Sequence, residues 1–164
     1  MEIFCKKNTN LSYQEVEVLY QMYCYNNAEI LNNGINKNSL KRKKLDSVEY
    51  KENWIRSVLE NDLLLCVECI ENNYLIGFAL LTLKEDENYI NEFHIMKERQ
   101  HDGFTFREMI KVIIQKSQAG KDFTGRIWTE NYDAKKIFHS MGALPDGEKY
   151  RLSYDKAVKW ANKI

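Results

Sequence analysis

A strand pattern passes through a polar turn into a helix pattern in Glu92-Phe93-His94-Ile95-Met96-Lys97-Glu98-Arg99-Gln100-His101-Asp102-Gly103-Phe104-Thr105-Phe106. The first four amides of a helix have no partner within it and lie at the positive end of the helix dipole. A turn that leads into a helix is therefore a ready anion site, and Gly103, which lacks a Cβ, lets a phosphate approach the backbone closely. The alternative is that Gly103 only completes the turn, while Thr105 and Glu108 cap the helix.

Apolar residues on both sides of this stretch repeat with the periods of helices and strands. At the first helix, Ser12 and Glu15 have the spacing of a capping box. The patterns predict strands at residues 2–7, 63–70, 74–84, 89–96, 123–129 and 149–154. They predict one helix that begins near Ser12 and further helices at residues 47–60, 103–118 and 155–163. Another helix is predicted from the stripe of Ala134, Ile137, Phe138 and Met141. Since no linker or repeat interrupts this order, we expect a single domain over residues 1–164, with an α/β sheet and helices on both faces.

Charge and hydropathy exclude several classes of protein. Lys and Arg number 24, as do Asp and Glu, so the formal net charge is zero. A general nucleic-acid or membrane-surface binder would show a basic excess, and no apolar run reaches the roughly 20 residues of a membrane span. We therefore expect neither a nucleic acid nor a membrane as partner. The start of the chain lacks the apolar core of a signal peptide, so we expect a cytoplasmic protein.

The four cysteines are scattered through apolar segments, as reduced buried thiols are. Cys66 and Cys69 form a CxxC pair, but both fall on a predicted strand, where residues three apart point to opposite faces. We therefore expect no shared disulfide and no metal site.

The turn resembles the acetyl-CoA motif of the GNAT N-acetyltransferases, Gln/Arg-x-x-Gly-x-Gly/Ala, which lies between the fourth strand and the third helix of that family. Gln100 and Gly103 match it. Thr105 stands where a small residue is usual, and its side chain either crowds a pyrophosphate or donates to it. Residues 131–143 are similar to a second family pattern, Asn-x-x-Ala-x-x-Leu-Tyr-x-x-x-Gly-Phe. The residues in register are Asn131, Ala134, Ile137 and Gly142. With the element order, the resemblance covers nearly the whole chain.

The resemblance implies a mixed, mostly antiparallel sheet whose central fourth and fifth strands splay apart to receive the pantetheine arm of acetyl-CoA. Backbone groups from Phe93 to Ile95 would meet the acetyl group and the pantetheine, and Asn131 would contact the pantetheine. Phe138 would point its ring edge toward the sulfur. The pyrophosphate would lie on the amides of Gln100, His101, Asp102, Gly103, Phe104 and Thr105.

Acetyl transfer needs a group that removes a proton from the amine, because a lysine-like amine has a pKa near 10.4. The family often uses a glutamate in or near the fourth strand, and Glu92 is the candidate here. On a regular strand it shares a face with His94, and His94 is a second candidate because histidine is a common base or proton relay. The alternatives are a solvated Glu92 and a structural His94. Phe138 replaces the tyrosine that protonates the leaving thiolate in the family, which leaves that role to water, Tyr150, Tyr154 or no group.

The expected function is transfer of an acetyl group from acetyl-CoA to a primary amine of a small molecule or peptide. One alternative is a weak or inactive GNAT-fold module that binds acyl-CoA as a sensor or interaction module, which Phe138 and Thr105 favour. Another is an unrelated α/β binding domain. A basic segment, which either attracts an acidic group or forms a solvated loop, contains Lys37, Lys41, Arg42, Lys43 and Lys44. A homodimer is left open.

Overall fold

A computed structural model describes residues 1–33, 45, 47–127 and 131–163, the side chains of residues 29–33 excepted. Its strands are β1 Glu2–Lys7, β2 Leu64–Glu71, β3 Tyr74–Leu83, β4 Asn88–Ile95, β5 Phe123–Gly125, β6 Leu144–Asp146 and β7 Lys149–Leu152. They form one sheet in the order β1-β2-β3-β4-β5-β7-β6. Neighbouring strands are antiparallel except β4 and β5, which pair in parallel. This confirms the predicted mixed, mostly antiparallel sheet.

The helices are α1 Tyr13–Asn33, α2 Val48–Leu59, α3 Thr105–Lys116, α4 Tyr132–Met141 and α5 Tyr154–Ala161, and 3₁₀ turns occupy Asn8–Asn10 and Lys97–Arg99. The predicted capping box opens α1: the Glu15 amide donates to Ser12 Oγ at 3.1 Å, and the Ser12 amide donates to the Glu15 carboxylate at 3.4 Å. Within the described residues, no helix combines the length and the hydropathy needed to cross a membrane.

Each face of the sheet carries its own core. Helices α1 and α2 cover one face and pack on side chains such as Phe78. Helices α3, α4 and α5 cover the other face and pack on side chains such as Ala79. Because alternate residues of β3 serve both cores, the strand is apolar almost throughout. Cys66 and Cys69 belong to different cores, so the prediction that they point to opposite faces is confirmed.

The structure corrects several predicted boundaries. The fifth strand ends at Gly125, and residues 128–129 of the longer prediction lie outside the described residues. The short exposed strand β6, Leu144–Asp146, was not predicted, because a three-residue edge strand with a central proline carries almost no strand pattern. Helix α3 begins at Thr105, two residues later than predicted. The basic residues Lys37, Lys41, Arg42, Lys43 and Lys44 also lie outside the described part of the chain.

Strand β4 bulges at Asn91 and then parts from β5. Leu80 of β3 pairs with Glu92 and the next residue pairs with Ile90, so Asn91 is skipped in the register. Strand β5 runs beside β4 only as far as the pair formed by Ile90 and Gly125. From there β4 continues to Ile95 beside a gap, which is the splay of the central strands that was predicted.

Candidate active site

The gap between β4 and β5 opens into a cavity of about 200 Å³. Five of the residues predicted from the sequence line it: Glu92, Phe93, His94, Asn131 and Phe138. The other seven do not line it: Ile95, Gln100, His101, Asp102, Gly103, Phe104 and Thr105. The predicted residues thus separate into a group that lines the cavity, a group in the turn before α3, and Ile95 at the end of β4 between them.

Glu92 and His94 form a hydrogen-bonded pair at the cavity wall. His94 Nε2 lies 2.8 Å from Glu92 Oε1, and the carboxylate can only accept, so Nε2 carries the hydrogen. On the other side of the ring, the side-chain nitrogen of Asn26 lies 3.4 Å from Nδ1 and donates to the Ile95 carbonyl at 3.1 Å. Nδ1 therefore faces a donor and accepts. His94 thus directs its hydrogen at Glu92, and Glu92 keeps its second oxygen for another proton.

The bulge determines which backbone groups of β4 face the gap. The Asn88 amide donates to the segment entering β5 at 2.8 Å, whereas the Met96 amide donates to β3 at 2.9 Å. In a regular strand, residues an even number apart direct their amides to the same side. The extra residue at Asn91 shifts this alternation by one residue. After the bulge, the amides of Phe93 and Ile95 therefore point away from β3 and face the gap. These are the backbone groups that the resemblance assigns to the pantetheine.

The α3 side of the cavity is aromatic. The Phe106 ring lies 5.0 Å from that of Phe93 and meets the ring of Phe138 edge-on at 6.0 Å. Of the two tyrosines proposed to replace the missing acid, Tyr150 lines the cavity. Tyr154 instead stacks on Phe123, at 6.0 Å between ring centroids, in the core under the sheet. Of these two, only Tyr150 is positioned to act at the gap.

Asn131 lines the cavity and also begins α4. Its side-chain oxygen accepts from the Ala134 amide at 3.1 Å, which caps the helix. The side-chain nitrogen is on the other end of the same amide group, so capping leaves it as the part of Asn131 that can meet a ligand.

The turn before α3 holds an anion from the chain itself. The amides of Phe104 and Thr105 each donate to Asp102 Oδ1 at 2.9 Å. The Thr105 hydroxyl donates to Asp102 Oδ2 at 2.6 Å, and this donor is fully buried. Burial alone would raise the pKa of Asp102, but these hydrogen bonds and the nearby charge of Arg99 lower it. The helix is therefore capped by Asp102, and not by Thr105 with Glu108.

Two further predicted residues, Gln100 and Gly103, have roles in the shape of this turn, and a third, His101, has none that the structure shows. Gln100 donates from its side chain to the Ile95 carbonyl at 2.9 Å, which ties the turn to the end of β4. Gly103 has a φ of +69°, a left-handed conformation that other residues rarely adopt, and a Cβ placed there would meet nothing within 4 Å. His101 is exposed.

Helix α1 contributes cavity residues that the sequence analysis did not single out. Tyr23 and Asn27 line the cavity. Burial raises the pKa of Tyr23, and its hydroxyl lies 2.7 Å from that of Tyr50, so it stays protonated. One signal was available in the sequence: Asn26 and Asn27 continue the apolar stripe that runs along α1 through Val16, Leu19, Tyr20 and Tyr23.

The described residues contain no group of three or more acidic, histidine or cysteine side chains that could hold a metal ion.

Comparison with known proteins rests on structure. No family model matches this sequence, and no curated protein matches it. Solved structures do match: the PaiA N-acetyltransferase from Thermoplasma acidophilum, in complex with coenzyme A, aligns over 92% of this chain and 97% of its own with a TM-score of 0.60 and 19% identity. A protein from Desulfovibrio desulfuricans assigned to the GNAT family aligns over 93% and 99%, with a TM-score of 0.62 and 10% identity. Mutant forms of the spermidine/spermine N-acetyltransferase SpeG from Vibrio cholerae align over 97% and 99%, with a TM-score of 0.54 and 12% identity.

These matches identify the fold and extend over nearly the whole described chain. The chain has the GNAT acetyltransferase fold, as its sequence motifs predicted. At such low identity the chemistry has to be argued from the chain's own residues.

Proposed function

We propose that this GNAT-fold chain is an N-acetyltransferase that transfers an acetyl group from acetyl-CoA to a primary amine of a small molecule or peptide. The observation that carries the proposal is the pair formed by Glu92 and His94, 2.8 Å apart, on the wall of the cavity where β4 and β5 separate. A carboxylate held in this way is suited to accept a proton from an amine.

The gap fits the pantetheine arm of acetyl-CoA. The amides of Phe93 and Ile95 face it and offer donors to an extended chain, while the rings of Phe93 and Phe138 supply an apolar wall. Asn131 offers its side-chain nitrogen at the same place. The fit supports coenzyme A as the carrier of the transferred group.

The turn before α3 fits the pyrophosphate less directly. Asp102 already accepts from two of its amides, so a pyrophosphate has to displace this carboxylate or share the turn with it. Arg99 lies 3.8 Å from Asp102 and is the nearest positive charge to it that we identify in the described chain.

In the proposed reaction, Glu92 accepts the proton that the incoming amine must lose. The nitrogen then forms a bond to the acetyl carbon, and the bond between that carbon and sulfur breaks. His94 acts as a positioning residue, because its Nε2 hydrogen holds Glu92 and its Nδ1 faces Asn26. Its ring is itself held by Phe78, at 5.1 Å, and by Tyr23, at 5.6 Å.

The departing thiolate needs less help, because a thiol has a pKa near 8.5. Phe138 has no proton to give. Tyr150 is the cavity-lining phenol on the α3 side. On β7 it pairs with Gly125 of β5, which in turn pairs with Ile90 of β4. We assign the proton for the thiolate to Tyr150.

Two of the matched proteins support this choice of chemistry. PaiA was solved with coenzyme A, and SpeG is named for acetylation of the polyamines spermidine and spermine. For this chain we likewise propose a primary amine as the acceptor, with Glu92 as the group that deprotonates it.

The test is incubation of the purified chain with acetyl-CoA and a panel of primary amines, with thiol release and the mass of the product as readouts. Saturation with acetyl-CoA should raise the melting temperature by roughly 5–10 °C. A stabilised chain that releases no thiol with any amine would instead be an acyl-CoA-binding module. A chain with neither response would not use coenzyme A.

A further inference from the structure

Asn27 presents an unpaired donor to the cavity. The residue is 6% exposed, and its side-chain nitrogen has no hydrogen-bond partner within the described chain. It lines the same cavity as Tyr23, Glu92 and His94. A buried donor without a partner destabilises the folded chain, so its position at a cavity wall points to a partner that arrives from the cavity.

The preceding residue provides a contrast within the same turn of α1. Asn26 is also 6% exposed, but its side-chain nitrogen donates to the Ile95 carbonyl at 3.1 Å and thereby joins α1 to β4. Asn26 is a structural link, whereas the nitrogen of Asn27 makes no such link.

The position of Asn27 also indicates which ligand it meets. It lies on α1, as Tyr23 does. Glu92 and His94 lie on the face of the sheet that α1 covers, because Glu92 pairs with Leu80 and His94 packs on Phe78. The aromatic wall formed by Phe93 and Phe138 belongs to the opposite, α3-covered face. An acceptor that approaches Glu92 would therefore meet Asn27, and an acetyl donor on the other face would meet the aromatic wall.

We propose that Asn27 is a specificity-determining residue, which donates a hydrogen bond to an oxygen atom of the acceptor. The acceptor is accordingly an amine that also carries a hydroxyl, carbonyl or carboxylate oxygen. This inference rests on the proposed acetyl transfer. A protonated polyamine has no lone pair for Asn27 and leaves its donor unpaired, and a site built to donate a hydrogen bond discriminates strongly against such a ligand.

A stability experiment tests Asn27 without any substrate. In the free chain, Asn27→Leu should keep or raise the melting temperature, because it replaces an unpaired polar group with an apolar one of similar shape. Asn26→Leu is the matched control and should lower it, because it breaks the link to Ile95. Equal losses in the two variants would mean that Asn27 is structural and would overturn the assignment.

The substrate experiment uses amines that differ in one group only: a methyl, a hydroxyl, an amide or a carboxylate at the same position. The wild-type chain should prefer at least one oxygen-bearing amine over its methyl counterpart by about tenfold or more in kcat/KM. In Asn27→Leu the ratio of the two kcat/KM values should fall toward one, mainly because KM for the oxygen-bearing amine rises. An identical preference in both chains would overturn the proposal, and so would a preference for the methyl compound in the wild type.

If the chain turns over none of these amines, their binding still tests the role of Asn27. The same amines are then compared by thermal shift, in the presence of coenzyme A, for the wild type and Asn27→Leu. A larger shift by an oxygen-bearing amine in the wild type alone supports the assignment even if acetyl transfer fails. No difference between the two chains would mean that only solvent in the cavity meets Asn27.

Discussion

Asp102 caps helix α3 through Thr105, whose amide and hydroxyl donate to its two carboxylate oxygens at 2.9 and 2.6 Å. The amides to which the sequence analysis assigned an anion lie at the start of this helix, and Asp102 of the same chain accepts from two of them. This places Asp102 in competition with a pyrophosphate, because both would use the same amides and both are negative.

We predict that Asp102→Asn strengthens the binding of coenzyme A by roughly fivefold at low salt, since it removes a like charge and keeps the shape of the cap. The gain should shrink as salt is added. Isothermal titration measures the affinity. Asp86→Asn, in the exposed turn between β3 and β4, changes the net charge equally and should have little effect. Weaker binding in Asp102→Asn alone would mean that the pyrophosphate lies elsewhere.

Gly103 offers a second test of the same turn. We predict that Gly103→Val abolishes coenzyme A binding, because its branched side chain fills the approach to the amides. Gly120→Val is the matched control: both glycines have positive φ, +69° and +78°, and neither has an atom within 4 Å of an added Cβ. Both variants should therefore lose similar stability. Circular dichroism checks the fold and titration the binding; normal binding in a folded Gly103→Val would remove the turn from the site.

Strand alternation predicted that Glu92 and His94 share a face, because they are two residues apart, and the structure adds the hydrogen bond between them. It could not locate the bulge at Asn91, since a bulge depends on the pairing of two strands and leaves no mark in one of them. The same holds for Asp102: acidic residues before a helix are common, and only the folded turn shows that this one accepts from both amides.

Residues from distant parts of the chain were the hardest to predict. Asn27 and Tyr150 reach the cavity only because α1 and β7 pack beside β4, and no spacing within a single segment encodes that meeting. The two motif blocks indicated the fold because each lies within one continuous stretch, at the start of α3 or along α4. Sequence therefore offered named candidates for the donor side of the proposed site and few for the acceptor side.

We predict that Glu92→Gln lowers kcat by about 10²–10⁴-fold and leaves the affinity for coenzyme A nearly unchanged, because glutamine keeps the shape and loses the proton acceptor. Glu49→Gln, at an exposed site in the first turn of α2, is the control for the loss of one carboxylate. The measurement is the rate of thiol release with the best amine of the panel. Turnover equal to wild type across the pH range would remove Glu92 from the mechanism.

A buried carboxylate away from the cavity makes stability depend on pH. Glu87 is 6% exposed and lies 3.3 Å from Lys149, 3.6 Å from Arg151 and 3.7 Å from Lys84. Burial alone would raise the pKa of Glu87, but hydrogen bonding and the charges of Lys149 and Lys84 lower it. A lowered folded pKa means that its contribution is present above the unfolded pKa, near 4.3, and is lost as the pH falls through the folded pKa.

We therefore predict that Glu87→Gln lowers the free energy of unfolding by about 1–3 kcal/mol at neutral pH. The difference from wild type should narrow steadily as the pH is lowered below about 4.3. Glu85→Gln, which is exposed in the same turn, should change little. Denaturant unfolding at a series of pH values gives the comparison, and a difference independent of pH would show that the charge of Glu87 does not contribute.

Tyr150 is the group to which we assign the proton for the leaving thiolate. Tyr150→Phe should lower turnover, by up to about 10²-fold if this proton limits the rate. Tyr154→Phe should leave it unchanged, because that ring stacks on Phe123 in the core. Phe138→Tyr should restore turnover to the Tyr150→Phe chain, since it places a phenol on the same cavity wall. The melting temperature and the rate of thiol release are measured for each variant.

The stability of Phe138→Tyr decides whether the second motif block is placed correctly. Phe138 lines the cavity and meets Phe106 edge-on, so an added hydroxyl should reach ligand or water and cost little. In an apolar core it would instead lack a partner and cost about 1–3 kcal/mol. A clear fall in melting temperature would therefore contradict the position assigned to Phe138. Full stability with no rescue of Tyr150→Phe would show that its phenol cannot reach the sulfur, and full turnover in Tyr150→Phe itself would show that water protonates the thiolate.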